Sequence, residues 1–195
     1  MKRAAPLLLS LLVASAAAAP ASAGAAPALK AGVFEPPRAA PEFSLRGSDG
    51  AELTLARYRG KVVLMSFGYT HCAAVCPVTL ATSAEARKSL GNAADAVQVI
   101  FVTVDPERDD VARMKTYMAA FDASFVGATG TPEALAAMRR SYGVTARKQV
   151  TSDGYMMDHS SSIYLIDRAG GLRAVMPYGH PVDDFVHDLK ILLRG

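Results

Sequence analysis

Two near-continuous apolar runs constrain this chain more than any other feature: Val62-Val63-Leu64-Met65-Ser66-Phe67 and Val97-Gln98-Val99-Ile100-Phe101-Val102-Thr103-Val104. A strand with one wet face alternates apolar and polar residues, whereas a run apolar at almost every position belongs to a strand covered on both faces. Such strands need helices around them, and helical patterns follow each run. One helix is expected to begin near Pro77, which suits a first turn, and to stop by Gly91-Asn92 after about Leu90. Asp109 or Asp110 caps the next, which carries Val111, Met114, Tyr117, Met118 and Phe121 at helical spacing. Thr131-Pro132-Glu133 opens a third as N-cap, N1 proline and acidic first turn. Phe43–Leu45 and Leu53–Leu55 around the polar turn Gly47–Gly50 read as an N-terminal β-hairpin. Ser162–Asp167 and Leu172–Met176 form a second hairpin, and Val182–Leu193 a closing helix. The fold class that accommodates these elements is α/β, with a mixed central sheet flanked by helices.

The N-terminus reads as an export signal. Met1-Lys2-Arg3 is positive, Pro6 to Ala19 is almost wholly apolar, and Ala21-Ser22-Ala23 offers a small-x-small cleavage site. Residues 1–23 are thus expected to be a signal peptide, residues 24–40, rich in Ala, Pro and Gly, a flexible tether, and residues 41–195 one domain. The apolar run is shorter than the roughly 20 residues that span a bilayer. The expected location is periplasmic, and the alternative is an uncleaved segment anchoring the chain to the inner membrane. Cleavage removes Lys2 and Arg3 and no acid, so the formal charge of +3 becomes +1. A near-neutral domain without basic runs gives no argument for binding nucleic acid.

Only two cysteines occur, Cys72 and Cys76, too close together for a bridge between them to restrict the unfolded chain much. Chemistry explains them better. They lie between the first apolar run and the helix that follows, and thiolates are favoured at helix N-termini. At i and i+4 on a helical turn, the pair shares one face and can close a disulfide or grip one ion. Histidine is the natural further ligand, and the chain offers His71, His159, His180 and His187. Two sulfurs with imidazole favour Cu(I) and also hold Cu(II) or Zn(II).

The sequence resembles the Sco/SenC family of copper proteins. The resemblance rests on Phe67-Gly68-Tyr69-Thr70-His71-Cys72, Val75-Cys76-Pro77, Thr79-Leu80, Val102–Asp109, Phe125-Val126-Gly127, Thr129–Pro132 and Asp158-His159-Ser160, in order from about Pro41 to Leu193. It implies a thioredoxin-like fold and a copper ion, Cu(I) or Cu(II), held by Cys72, Cys76 and His159. It further implies a copper chaperone that metallates or reduces the dinuclear copper centre in subunit II of cytochrome c oxidase. A second periplasmic copper chaperone or a thiol reductant is the other implied partner. Many members carry Pro-Asp after the first cysteine, where this chain has Ala73-Ala74. Thioredoxin-like reductases also place a cis-proline facing the cysteines. No proline lies between Pro132 and Pro177, and His159 takes that place just before the Ser162–Asp167 strand.

Several assignments compete. Cys72 and Cys76 alone are sufficient for a thiol–disulfide oxidoreductase, the main alternative, in which they are catalytic. A peroxidase site of the Thr-x-x-Cys kind is disfavoured, because one residue separates Thr70 from Cys72. A copper or redox sensor would share every feature of a delivery protein. His71 is either a fourth ligand or points away, and His180 and His187 are expected at the surface. Asp105 either acts near the site, by docking a partner or orienting a ligand's neighbours, or simply ends a strand at Asp105-Pro106. Met114 and Met118 suit core packing, and Met156-Met157 offers an auxiliary sulfur beside His159.

Overall fold

The computed structural model describes Met1 and residues 28–195. The signal-peptide expectation lies outside the described residues, and no helix among them is long and apolar enough to cross a membrane. In chain order the strands are β1 (Gly32–Ala39), β2 (Ser44–Gly47), β3 (Glu52–Thr54), β4 (Val62–Gly68), β5 (Val97–Thr103), β6 (Val126–Thr129), β7 (Ala146–Thr151), β8 (Gly154–His159), β9 (Ile163–Ile166) and β10 (Gly171–Met176). The helices are α1 (Val75–Ser89), α2 (Val111–Ala119), α3 (Pro132–Tyr142) and α4 (Val182–Arg194).

Eight strands make one mixed sheet in the order β1-β10-β9-β4-β5-β6-β2-β3. The two apolar runs are its central parallel pair, in register from Val62 opposite Val97 to Gly68 opposite Thr103, and β6 extends them in parallel. Every residue of β4 and β5 is buried. Side chains alternate between two cores. Val63, Met65, Phe67, Ile100 and Val102 meet Leu135, Met138 and Tyr142 of α3 on one face. Val62, Leu64, Val99 and Phe101 meet Leu80 of α1, Met114 and Met118 of α2, and Phe185 and Leu189 of α4 on the other. Each large side chain so buried contributes roughly 1.5–3 kcal/mol. Thr131 caps α3 by accepting from the Ala134 N–H, worth about 1 kcal/mol.

Three expectations need correction. The segment read as a tether contains β1, an edge strand that pairs antiparallel with β10. Pro36 and Pro37 are compatible with it, because an edge strand needs donors on one side only. Helix α1 starts at Val75, two residues before Pro77, so Cys76 lies inside its first turn rather than in the loop. Helix α2 ends before Phe121, which was expected within it; of the two caps expected, Asp110 is the one used, and Asp109 is buried at the Cys72 loop.

A further ribbon was not expected at all. β7 and β8 pair antiparallel as a separate two-stranded sheet, from Ala146 opposite His159 to Thr151 opposite Gly154. His159 therefore ends a strand instead of sitting in a loop. Asp153-Gly154 at the turn, followed by alternation in Tyr155, Met157 and His159, was the signal available in the sequence.

Candidate metal centre

The loop from Tyr69 to Ala74 leaves the C-terminal end of β4 and enters α1. Its shape is fixed from below by Asp109, whose fully buried carboxylate accepts from the Thr70 N–H at 3.0 Å, the Thr70 hydroxyl at 2.6 Å and the Thr103 hydroxyl at 2.6 Å. Arg113 Nε donates to the same Thr70 hydroxyl at 3.0 Å. Gly68 closes the floor: a Cβ there would lie 2.5 Å from Cys76 Sγ and 2.6 Å from Phe101 Cζ. The sulfur thus occupies space that any other residue would fill.

Both cysteines are free, Cys76 buried and Cys72 partly exposed. Their environments polarise them. Burial raises the Cys72 thiol, but the N–H groups of Cys76, Ala74 and Val75 and the Cys76 thiol outweigh it and hold Cys72 below the usual cysteine value. Burial pushes the Cys76 thiol far above that value, and the neighbouring Cys72 charge adds to the rise. The partly exposed Cys72 is thus the more readily ionised thiol of the pair, and the buried Cys76 the less readily ionised one. Ala74 caps α1 without a side-chain hydrogen bond, so the free N–H groups of the first turn face Cys72 unopposed.

The third group arrives from the ribbon. His159 Nε2 lies 3.6 Å from Cys76 Sγ. Its Nδ1 is 2.8 Å from the Ser160 carbonyl oxygen, which can only accept, so Nδ1 carries the proton and Nε2 presents its lone pair to the sulfur. The Tyr69 ring meets the imidazole edge-on at 5.8 Å. One ligand atom each from Cys72, Cys76 and His159 lies within 4.8 Å of the others. Metal bonds of about 2.3 Å to sulfur and 2.0 Å to nitrogen at a tetrahedral angle place those atoms about 3.6 Å apart, so the observed spacing fits one ion. The hollow beside Cys76 and His159 measures about 10 Å³, room for one water-sized occupant and not for an organic substrate.

The ribbon is held by polar clamps rather than by the sheet. Buried Asp105 accepts from Arg108 Nε and, at 2.9 Å, from the Tyr155 hydroxyl. Arg108 also donates to the Tyr155 carbonyl at 3.2 Å and stacks 3.7 Å from the Tyr155 ring. Lys148 pairs with Glu107, and the Ser160 N–H donates to the Thr145 carbonyl. Asp105 therefore works near the site as the fastening of the strand that ends in His159. Neither the Arg108–Tyr155 clamp nor the Asp109 anchor was foreseen.

Other candidates lie apart. His71 turns to Thr70, 3.3 Å away, and toward Asp109, and does not join the three-residue cluster. His180 and His187 are half-buried beside Asp184 and Asp188. Met114 and Met118 are buried in the core, Met156 faces outward, and Met157 packs against the core.

A strand–loop–helix end that offers two thiols, faced by a histidine, defines a thioredoxin-like domain with a soft-metal site. The sequence model of the SCO1/SenC family matches residues 33–194, and the chain belongs to that family. It is 40% identical over 133 residues to the mitochondrial SCO2 homolog of Mus musculus, covering 66% of this chain and 52% of that one. It is 36% identical over 143 residues to the mitochondrial SCO1 homolog 1 of Arabidopsis thaliana, covering 72% and 43%. The chain thus spans about half the length of these curated relatives. Among solved structures it is similar to copper-bound ScoI of Bradyrhizobium japonicum, with a TM-score of 0.74 and 40% identity over 80% of this chain and 99% of that one. It is also similar to the apo Sco1 solution structure from Thermus thermophilus, with a TM-score of 0.77 and 34% identity over 87% and 100%.

Proposed function

We propose that this chain is an exported copper carrier that binds one ion through Cys72, Cys76 and His159 and delivers it to the dinuclear centre of cytochrome c oxidase subunit II. The observation that carries the reading is the convergence of two sulfurs and one imidazole nitrogen within 4.8 Å, with the imidazole tautomer already set for ligation. Cys72 and Cys76 supply soft anionic donors, and His159 supplies the borderline one that lets the site hold both Cu(I) and Cu(II). Cys72 is partly exposed, so a partner's ligand can reach that sulfur, as transfer requires. Copper bound to a copper-bearing bacterial relative supports the choice of metal. The apolar N-terminal run supports export to the periplasm, with an uncleaved anchor as the variant of that reading. Purified reduced protein and His159→Ala are compared by competition with a Cu(I) chelator and by Cu(II) absorption. One tightly held equivalent and a thiolate-to-Cu(II) band, both lost in the variant, are expected. Absence of stable copper in the parent chain would sink the proposal.

The polarised cysteine pair favours a second reading, reduction of a disulfide in the oxidase subunit. Cys72 thiolate attacks one partner sulfur, forming a mixed disulfide and expelling the other partner sulfur as thiolate. Cys76 then loses its proton and attacks Cys72 Sγ, which releases the second partner thiolate and leaves Cys72–Cys76 oxidised. This chemistry needs no histidine, so His159→Ala retains it while losing copper.

A further inference from the structure

The β7–β8 ribbon has a second side, away from the thiols. There Arg139 and Arg140, from the last turn of α3, and Arg147, from β7, line an open cleft of about 610 Å³. These three form no ion pair among the described residues; Arg38, Arg46, Arg113, Arg168 and Arg194 form none either, but only Arg139, Arg140 and Arg147 line this cleft. Asp158, the carboxylate on the cleft wall, stands opposite Arg147 in the strand register yet pairs with none of them. Burial first, and then the charge of Arg140, hold Arg139 below the usual arginine value, as expected of crowded cations without a counter-ion. The α3 dipole accounts for two arginines in its last turn, but not for Arg147 on another element. A formal charge of only +3 over the whole chain makes this a local concentration.

The cleft shares a strand pair with the metal centre, since Ala146 lies opposite His159. A partner seated there sits directly behind the residue that completes the site. Guanidinium forks match carboxylates two bonds at a time. A small free anion is best held at a helix N-terminus, whereas α3 points its C-terminal carbonyls here. Three forks around an open hollow suit several carboxylates carried on one chain segment.

We infer that the Arg139–Arg140–Arg147 cleft docks an acidic, carboxylate-rich segment of the protein that exchanges copper with Cys72, Cys76 and His159. The exchange rests on the function proposed above, and the charge complementarity stands without it. The test titrates copper-free, reduced protein with a hexaglutamate peptide and follows the amide resonances of Ala136, Thr145 and Ala146. Saturable shifts are expected, and they fade as salt shortens the screening length from about 30 to 3 Å. Arg139→Gln with Arg147→Gln weakens peptide binding about tenfold or more while Cu(I) affinity stays unchanged. Arg139→Lys with Arg147→Lys keeps part of the binding. Arg140→Gln, at an exposed position, weakens it several-fold without risk to the fold. Absent shifts, or equal affinity in a folded double Gln variant, overturn the assignment. Inorganic phosphate binding at the same amides as tightly as the peptide overturns it in favour of a small-anion site. A chain that docks the peptide but delivers no copper keeps the cleft and loses only the delivery reading.

Discussion

Cys72 lies in the loop between β4 and α1 and Cys76 in the first turn of α1, beside a strand in which every residue from Val62 to Gly68 is buried and a side chain at 68 would collide with sulfur. His159 comes from a ribbon in which no residue is fully buried, tied down by Asp105, Arg108, Tyr155 and the Lys148–Glu107 pair. The Cys76 sulfur is placed by packing and the Cys72 loop by the buried Asp109, whereas the imidazole depends chiefly on a few hydrogen bonds at the surface. Packing makes the sulfur positions inseparable from the stability of the domain. The ribbon can loosen without unfolding anything else, because regions with few buried apolar contacts open at low free energy. One half of the site is structural, and the other half is adjustable.

Substitutions on each side can break this contrast. Gly68→Ala is expected to act most strongly, forcing Cys76 and Phe101 apart, lowering stability by about 1–3 kcal/mol and weakening copper binding together. Thermal melts and chelator competition read the two effects, and copper loss without a melting shift would refute placement by packing. Asp105→Ala should act in the opposite proportion. It frees Tyr155 and Arg108, lowering copper affinity about 10- to 100-fold with a smaller melting shift than Gly68→Ala. Equal melting losses in both variants would show that the ribbon is part of the core after all.

Ala74→Asp sharpens the comparison on the thiol side. A carboxylate at the uncapped start of α1 should raise stability by roughly 1 kcal/mol. It also competes for the N–H groups that hold Cys72 below its ordinary value. Alkylation of Cys72, expected in the parent chain to set in below the pH at which a free cysteine reacts, should then move to higher pH. An unchanged alkylation profile would mean that those N–H groups do not control the thiol. The smallest effect is expected at Met156, whose side chain faces solvent. Met156→Ser should change stability by less than about 0.5 kcal/mol and leave copper affinity intact, and a marked loss of Cu(I) affinity would make it a ligand.

The same contrast explains what the sequence revealed. β4, β5 and α3 announce themselves because burial on both faces and a Thr-Pro-Glu cap leave one reading of Val62–Phe67, Val97–Val104 and Thr131–Glu133. The cysteine pair is equally plain, since its partners are local. The imidazole was found through family resemblance, because nothing in the spacing of Cys76 and His159 links residues that far apart. The ribbon was missed because Arg147, Lys148 and Gln149 carry no apolar alternation, as no residue of β7 is fully buried. β1 hid behind its prolines, and Asp109 looked like a helix cap because the threonines it serves are distant in sequence.

The sequence separation of 83 between Cys76 and His159 gives a bound ion a second effect. An unfolded chain keeps its two sulfurs close together but must close a long loop to bring in the nitrogen, at an entropic cost that grows with loop length. Copper held at this site therefore grips the finished fold more tightly than the nascent one, and acts as a reversible staple between the strand–helix core and the ribbon. At a hundredfold excess over its dissociation constant, that linkage amounts to about 2.7 kcal/mol. Loss of the ion removes the staple in the same step, so the copper-free chain is also the chain whose ribbon is freest to move.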